Sequence, residues 1–233
     1  CDRRQRQMCI RDRWNGKKKA VTFSYDDGVT QDIRLVEIFS KYNLKATFNL
    51  NSELLGKEGS LIRNGVRVAH TKISAQDVRS VYDGHEVAAH TLTHPALCTL
   101  SDEEVVREVE EDRLALSALC GYEVLGMAYP GGGVNHDVRV ERLVRERTGV
   151  RYARTTDASG RFAPQADRFA FAPTVYHLDT DAMFALGETF LASESEAPQL
   201  FYIWGHSYEF DAWDFLSLIH ISEPTRRVVI SYA

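Results

Sequence analysis

Short apolar runs alternate with helical patterns along most of the chain. Apolar positions three or four residues apart predict amphipathic helices, whereas short, nearly continuous apolar runs predict buried strands. Strand candidates lie at residues 20–27, 45–51, 85–90, 124–130, 150–155, 169–176 and 199–206, and helix candidates at 30–43, 74–82, 101–120, 136–149 and 179–193. This alternation is typical of parallel strands joined by helical crossovers. It predicts a single α/β domain with a distorted or incomplete (β/α) barrel of about seven parallel strands.

Local signals place several helix ends and faces. The helix at 101–120 begins with Ser101 and has Glu104 at capping-box spacing. We expect the many charged residues of this helix to form a solvated face. We expect the helix at 30–43 to bury a side that includes Ile33 and Phe39. Gly149 is expected to close the helix that precedes it.

Composition limits the class of protein. The 233 residues are 44% apolar, which is enough for one sizeable core. The net charge of −5 argues against a nucleic-acid or anionic membrane partner. The apolar runs are too short to span a bilayer, so no membrane insertion is expected. Cys98 and Cys120 have no metal-type spacing and are expected to be small core residues.

The two ends differ from the rest of the chain. Residues 1–13 and 216–233 resemble translated sequencing-adapter sequence, because one DNA word encodes Met8–Asp12 and its reverse complement encodes Leu216–His220. We therefore expect these ends to be non-native and the folded domain to span 14–215. No signal peptide is visible, which favours a cytoplasmic location. A secreted or cell-surface location stays open because the natural start is uncertain.

Polar clusters follow the predicted strands, where barrel enzymes place their chemistry. In HTLTH, His90 and His94 stand four residues apart, a spacing that suits two ligands of a divalent metal. Either acid of SYDDG, Asp26 or Asp27, would supply a third ligand, and its neighbour would then be free to act as a general base. Taken alone, HTLTH is more typical of two loop histidines, and the acids are more typical of a turn or helix-cap signal.

Two further clusters suggest an oxyanion donor and an acid. The phrase AYPGGG ends a strand with a proline and three glycines, whose backbone can approach a ligand and donate N–H groups. His206 follows the last predicted strand in IWGHSYE and suits a general acid. A flexible glycine turn and a structural histidine are the alternative interpretations.

Taken together, these motifs resemble the polysaccharide deacetylase family, also called the NodB-homology domain or carbohydrate esterase family four. The resemblance covers most of residues 20–210 and suggests a divergent bacterial branch. It implies that Asp26 is the catalytic base and that Asp27, His90 and His94 bind the metal. It further implies that Thr91 holds the loop of HTLTH and that His206 is the acid.

The third motif of the family departs from its usual R-x-P-Y form. It reads Ala128-Tyr129-Pro130-Gly131 here, so the arginine that orients the base is missing. The resemblance implies that the backbone N–H of Gly131 remains the oxyanion donor. Arg154, at the end of the next strand, is a candidate replacement for the missing guanidinium. The usual D-x-x-D-W phrase of the family is not recognisable.

The sequence therefore predicts a hydrolase that removes N-acetyl groups, or O-acetyl groups, from a sugar or polysaccharide. One divalent metal is expected, zinc first, with cobalt, nickel or manganese as alternatives. Tyr129, Trp204 and Tyr208 are candidates for an apolar wall against the sugar ring. Two other functions stay open: an amidase acting on a small cyclic amide or ureide, and a carbohydrate-binding relative without turnover. The sequence does not determine the oligomeric state.

Overall fold

The computed structural model describes residues 17–213. The ends predicted to be non-native, 1–13 and 216–233, lie outside these residues. The strands are β1 (Lys19–Asp26), β2 (Ala46–Leu50), β3 (Ser60–Arg63), β4 (Val66–Ala69), β5 (Glu86–Ala89), β6 (Gly126–Ala128), β7 (Tyr152–Arg154), β8 (Val175–Tyr176) and β9 (Gln199–Gly205). The helices are α1 (Asp32–Lys41), α2 (Val78–Val81), α3 (Asp102–Cys120), α4 (Val138–Arg147), α5 (Thr180–Ala192) and α6 (Glu209–Trp213).

Seven strands form one curled sheet in the order β7-β6-β5-β2-β1-β9-β8. Each neighbouring pair in this sheet is parallel. The edge strands β7 and β8 do not pair with each other, so the barrel is incomplete. The predicted fold class is thereby confirmed. None of the helices between residues 17 and 213 is long and apolar enough to cross a membrane.

The main core lies between the sheet and the helices. Strand β2, which lies between β1 and β5, is buried at all five positions. Tyr25 and Phe48 belong to this core, and their ring centroids are 6.3 Å apart. Leu116 of α3 packs in the same cluster. Central parallel strands buried on both faces explain the continuous apolar runs in the sequence.

Helix α3 begins and ends as its sequence predicts. The Ser101 side chain accepts a hydrogen bond from Glu104 N, the Glu104 side chain accepts one from Ser101 N, and Gly121 ends the helix with φ 77°. The expectation of a solvated charged face is wrong for part of this helix. Glu108, Asp112 and Arg113 are all buried. Their partners are therefore in the protein.

Other local predictions need correction. Ile33 is 45% exposed, and α1 instead buries Leu35 beside Phe39. Helix α4 ends at Arg147, before Gly149, which lies so close to the Arg113 guanidinium that a β-carbon would collide with it. The strand expected at 169–176 is reduced to two residues, because Pro173 has no N–H to donate to a ladder.

The hairpin of β3 and β4 was not predicted. Its strands pair antiparallel around Asn64 and Gly65, whose φ angles are 49° and 73°. Two successive positive φ angles are typical of a type I′ turn, for which Asn-Gly is the preferred sequence. Val68 of β4 packs with Val29 and Tyr208 in a small second core. This core joins the hairpin to the carboxyl edge of the main sheet.

We expect Ser101→Ala to lower the free energy of unfolding by about 1 kcal/mol, because it removes the cap of α3. Urea unfolding measures the change. Ser40→Ala is the control, since Ser40 is an exposed serine of α1 with no side-chain hydrogen bond among residues 17–213. Equal stability of the Ser101→Ala variant and the wild type would contradict the role of the capping box.

Candidate functional site

A cleft of about 680 Å³ opens at the carboxyl edge of the sheet. The predicted site residues that line it are Asp26, Asp27, His90, His94, Gly131, Trp204, His206 and Tyr208. The hairpin and the residues after it form another wall with Leu61, Arg63, His70 and Lys72. Side chains that follow separate strands thus meet in one place, as parallel strands of a barrel require.

The two adjacent acids of SYDDG leave β1 in different conformations. Asp26 is the last residue of the strand, whereas Asp27 has φ 82° and Gly28 has φ 58°. The left-handed turn breaks the alternation of the strand, so both carboxylates face the cleft. A β-carbon at Gly28 would lie 2.9 Å from Leu50 Cγ, so this turn needs glycine.

Three predicted ligands form one cluster. The candidate ligand atoms of Asp27, His90 and His94 all lie within 4.8 Å of one another. His94 Nε2 is 3.8 Å from Asp27 Oδ1. His90 Nδ1 lies 2.9 Å from the carbonyl oxygen of Ala128. That carbonyl can only accept, so Nδ1 carries the proton and Nε2 keeps a lone pair.

Burial lowers the pKa of His90 to about 4, so its ring is neutral at pH 7. A neutral imidazole with a free Nε2, a second imidazole and a carboxylate form the donor set of a catalytic zinc-type site. In such sites a hydrogen bond from the second ring nitrogen orients each histidine ligand, and the bond from His90 Nδ1 to the Ala128 carbonyl oxygen is of this kind. These donors therefore fit a divalent metal.

Buried polar residues hold the backbone of His90. Asn51 Nδ2 donates to the carbonyl oxygens of His90 and Thr91. Asp112 of α3 accepts hydrogen bonds from the backbone N–H of His90 at 2.9 Å and of Ser52 at 2.7 Å. Asp112 is fully buried, and the two backbone donors at the site satisfy its carboxylate there.

The rest of the HTLTH loop is held in the same way. Glu108 accepts hydrogen bonds from the backbone N–H and the hydroxyl of Thr93, both at 3.0 Å. Thr91 Oγ1 accepts from His94 N at 3.1 Å, in the position of the loop-holding hydroxyl expected from the sequence. Thr91 and His94 both have positive φ angles. The charged face of α3 therefore positions two candidate metal ligands.

Asp26 forms a buried ion pair with Arg154. Arg154 Nη2 donates to both carboxylate oxygens of Asp26, and the two side chains are 1% and 2% exposed. Asn49 Nδ2 adds a hydrogen bond of 2.8 Å to Oδ1. Burial alone would raise the pKa of the Asp26 carboxyl, but the Arg154 guanidinium brings it below its ordinary value. Asp26 is therefore ionised at neutral pH.

Arg154 is itself fixed on several sides. Its Nε donates to Ser24 Oγ at 3.1 Å and its Nη1 to the carbonyl oxygen of Thr155 at 3.0 Å. The guanidinium lies over the ring of Trp204, 4.8 Å from its centroid. A guanidinium with hydrogen bonds in its plane and an aromatic ring against its face has little freedom to turn.

Glu209, which was not predicted, binds and orients the side chain of His206. His206 Nδ1 donates to Glu209 Oε2 at 3.0 Å, which leaves Nε2 for the cleft. Burial opposes a charged His206, but the bond to Glu209 and the nearby acids raise the pKa of the imidazole. His177 and Tyr176 also bond Glu209. The signal in the sequence was a carboxylate three residues after the histidine, in GHSYE.

His70 and Lys72 contact Asp27, and neither was predicted. His70 Nε2 is 3.2 Å from Asp27 Oδ2, and Lys72 Nζ is 3.2 Å from Oδ1. Burial would raise the pKa of the Asp27 carboxyl, but the hydrogen bond from His70 and the Lys72 ammonium hold it well below its usual range. The stretch AHTK carries no local pattern that points to this role.

The remaining predicted residues divide between cleft and core. Gly131 follows β6 with φ 82°, and its backbone N–H donates no hydrogen bond among residues 17–213. Trp204 and Tyr208 line the cleft. Tyr129 does not: it is fully buried, and its hydroxyl donates to the Phe169 carbonyl oxygen at 2.8 Å. Tyr129 therefore packs in the core and forms no part of the expected wall.

Comparison with known proteins places this site in context. The family model described as polysaccharide deacetylase matches residues 13–153. The chain is 29% identical over 125 residues to the peptidoglycan-N-acetylglucosamine deacetylase PgdA of Listeria monocytogenes, covering 53% of this chain and 24% of that protein. It is 29% identical over 123 residues to a chitooligosaccharide deacetylase of Rhizobium leguminosarum, covering 51% of this chain and 43% of that protein.

A solved structure supports the fold. The Streptococcus pyogenes deacetylase PplD superposes with a TM-score of 0.53 at 18% identity, over 68% of this chain and 65% of that chain. At this identity the likeness concerns the fold alone. The chain spans less than half the length of the two curated relatives.

We expect Glu209→Gln to lower the pKa of His206, because glutamine accepts the hydrogen bond but carries no negative charge. NMR titration of the histidine ring signals of metal-free protein measures this pKa. Glu188→Gln, which changes an exposed glutamate of α5, is the control. An unchanged pKa of His206 in the Glu209→Gln variant would exclude Glu209 as its electrostatic partner.

Proposed function

Because the chain belongs to the polysaccharide deacetylase family, we propose that it is a metal-dependent hydrolase that removes acetyl groups from an N-acetylated sugar. One observation carries this proposal. The cleft contains an Asp-His-His donor set beside an ionised Asp26, with His206 also facing the same space. Ligands, base and acid are the parts that hydrolysis of an unreactive amide requires.

Asp27, His90 and His94 would hold one divalent metal, and nitrogen and oxygen donors make zinc the first candidate. Cobalt, nickel and manganese accept similar donors. When bound, such a metal polarises the acetyl carbonyl and makes water more acidic. The chain's own residues supply the proton transfers.

Asp26 would take a proton from the attacking water. Its partner Arg154 keeps the carboxylate ionised and fixes its orientation, in place of the arginine missing from the third motif. The ion pair also lowers the proton affinity of the Asp26 carboxylate. Its action as a base would therefore depend on its fixed orientation as well as on its proton affinity.

His206 would protonate the departing amine. Its raised pKa keeps the ring partly charged near neutral pH, and Glu209 fixes Nδ1 so that Nε2 delivers the proton. The backbone N–H of Gly131, which donates no hydrogen bond to any residue of 17–213, would stabilise the negative charge that develops on the acetyl oxygen. The space beside Gly131 is open, since a β-carbon there would meet no atom within 4 Å.

The substrate is proposed to be an acetylated carbohydrate chain. The cleft of about 680 Å³ is large enough for a sugar unit with its acetyl group. Trp204 and Tyr208 border the cleft, but they are only 8% and 1% exposed, so neither presents an open aromatic face to a sugar ring. The relatives named above act on peptidoglycan N-acetylglucosamine and on chitooligosaccharides, and oligomers of N-acetylglucosamine are therefore the first compounds to test.

We expect Asp27→Ala and His94→Ala to bind a divalent metal at least about tenfold more weakly than the wild type, because each removes one of three donors. Metal content after equilibrium dialysis against zinc measures this. Asp157→Ala, which changes an exposed aspartate, is the control. If the wild type holds no more metal than the two site variants, the proposed metal site is wrong.

We expect Asp26→Asn to keep the metal but to lose about 10²–10⁴-fold in kcat, because an amide cannot accept the proton. Acetate release from N-acetylglucosamine oligomers measures the activity, and circular dichroism checks that the variant is folded. Turnover at the wild-type rate would remove Asp26 as the base. Hydrolysis of small cyclic amides without acetate release from the oligomers would instead favour an amidase.

A further inference from the structure

We propose that the segment 70–73, which follows the β3–β4 hairpin, is a clamp that positions Asp27 for the metal. Its side chains that contact Asp27 are His70 and Lys72. This inference rests on the metal site proposed above and assigns positioning residues to it. The clamp accounts for how an aspartate keeps a left-handed backbone at the candidate metal site.

The backbone of the clamp runs antiparallel to the turn that follows β1. Thr30 N donates to the carbonyl oxygen of Thr71 at 2.8 Å, and Ile73 N donates to that of Gly28 at 2.9 Å. Val29 and Lys72 form the β-bridge between these two bonds. The clamp therefore pairs with the residues directly after Asp27. This pairing brings the side chains of His70 and Lys72 into contact with Asp27.

Lys72 fixes the backbone of Asp27. Its Nζ donates to the carbonyl oxygen of Asp27 at 2.6 Å and lies 3.2 Å from Oδ1. The Lys72 side chain is 6% exposed. A buried ammonium requires a charged partner, and among residues 17–213 its only ion pair is with Asp27. The short bond to the carbonyl oxygen stabilises the φ of 82°, which an aspartate otherwise adopts at a cost.

His70 fixes the other end of the carboxylate. Its Nε2 lies 3.2 Å from Asp27 Oδ2, whereas Oδ1 lies 3.8 Å from Nε2 of His94. The His70 ring is held edge-on against Tyr208, with 4.9 Å between the centroids. His70 therefore engages Oδ2, whereas Oδ1, which Lys72 also contacts, is the oxygen nearer to His94. Ligating carboxylates in metalloproteins are oriented by hydrogen bonds of this kind.

The experiment measures metal affinity in place of activity. Metal-free wild type, Lys72→Met, His70→Ala and His70→Gln are titrated with Co²⁺ in competition with a chelating dye, and the visible spectrum of bound Co²⁺ is recorded. Lys57→Met is the matched control, because Lys57 is an exposed lysine shortly before the hairpin. Thermal unfolding of the metal-free proteins shows which variants are folded.

We expect Lys72→Met and His70→Ala to bind Co²⁺ about 10–100-fold more weakly than the wild type. His70→Gln should recover most of the affinity and the wild-type spectrum, because an amide N–H can replace the donor to Oδ2. Lys57→Met should bind as the wild type does. Should Lys72→Met fail to fold, the comparison of His70→Ala with His70→Gln decides alone.

Two results would overturn the proposal in different ways. If the wild type itself binds no Co²⁺ or Zn²⁺, the metal site fails and the clamp fails with it. If the wild type binds and the folded variants match its affinity or exceed it, the metal site stands and the clamp is wrong. An equal loss of affinity in His70→Ala and His70→Gln would show that the hydrogen bond to Oδ2 is not the cause, and would also overturn the role of His70.

Discussion

A carboxylate removed from water needs a cation or several hydrogen-bond donors, because the lost hydration otherwise costs several kcal/mol. Within residues 17–213, three carboxylates line the cleft, and each meets this need with a partner from another part of the chain. Asp26 is paired with Arg154 of β7, and Asp27 with Lys72. Glu209 is paired with His177, which follows β8. The Asp26–Arg154 pair joins β1 to the edge strand β7, with β2, β5 and β6 between them in the sheet, so the need to satisfy buried charge helps to fix the curvature of the incomplete barrel.

Much of the fold could be predicted because its signals are local. The apolar runs of the parallel strands and the cap of α3 depend on residues next to one another in the chain. The cleft could be predicted as well, since parallel strands bring their carboxyl ends together wherever a strand ends in a polar cluster. Arg154 was a candidate because it ends the strand after the third motif, from which the arginine of the family is missing.

The supporting residues could not be predicted because their roles depend on distant contacts. Glu108 and Asp112 stand in a charge run that is indistinguishable in sequence from a solvated face, yet both turn inward to backbone donors of the HTLTH loop. Lys72 becomes significant only once the hairpin folds back on the turn after β1. The Asn-Gly pair of that hairpin was a readable signal, because apolar residues stand on both sides of it, but strands of four residues show little periodicity.

The adjacent acids of SYDDG illustrate how a single backbone angle assigns chemistry. In an extended strand, Asp26 and Asp27 would point to opposite faces and could not share a cleft. The φ of 82° at Asp27 brings its carboxylate to the same side, and the two acids then repel each other. Separate cations relieve that repulsion, because Arg154 forms an ion pair with Asp26 and Lys72 forms one with Asp27. Because Arg154 engages both oxygens of Asp26 while one oxygen of Asp27 faces His94, the two acids differ in what they can still bind. The different roles proposed for the two acids thus agree with the cation that each one contacts.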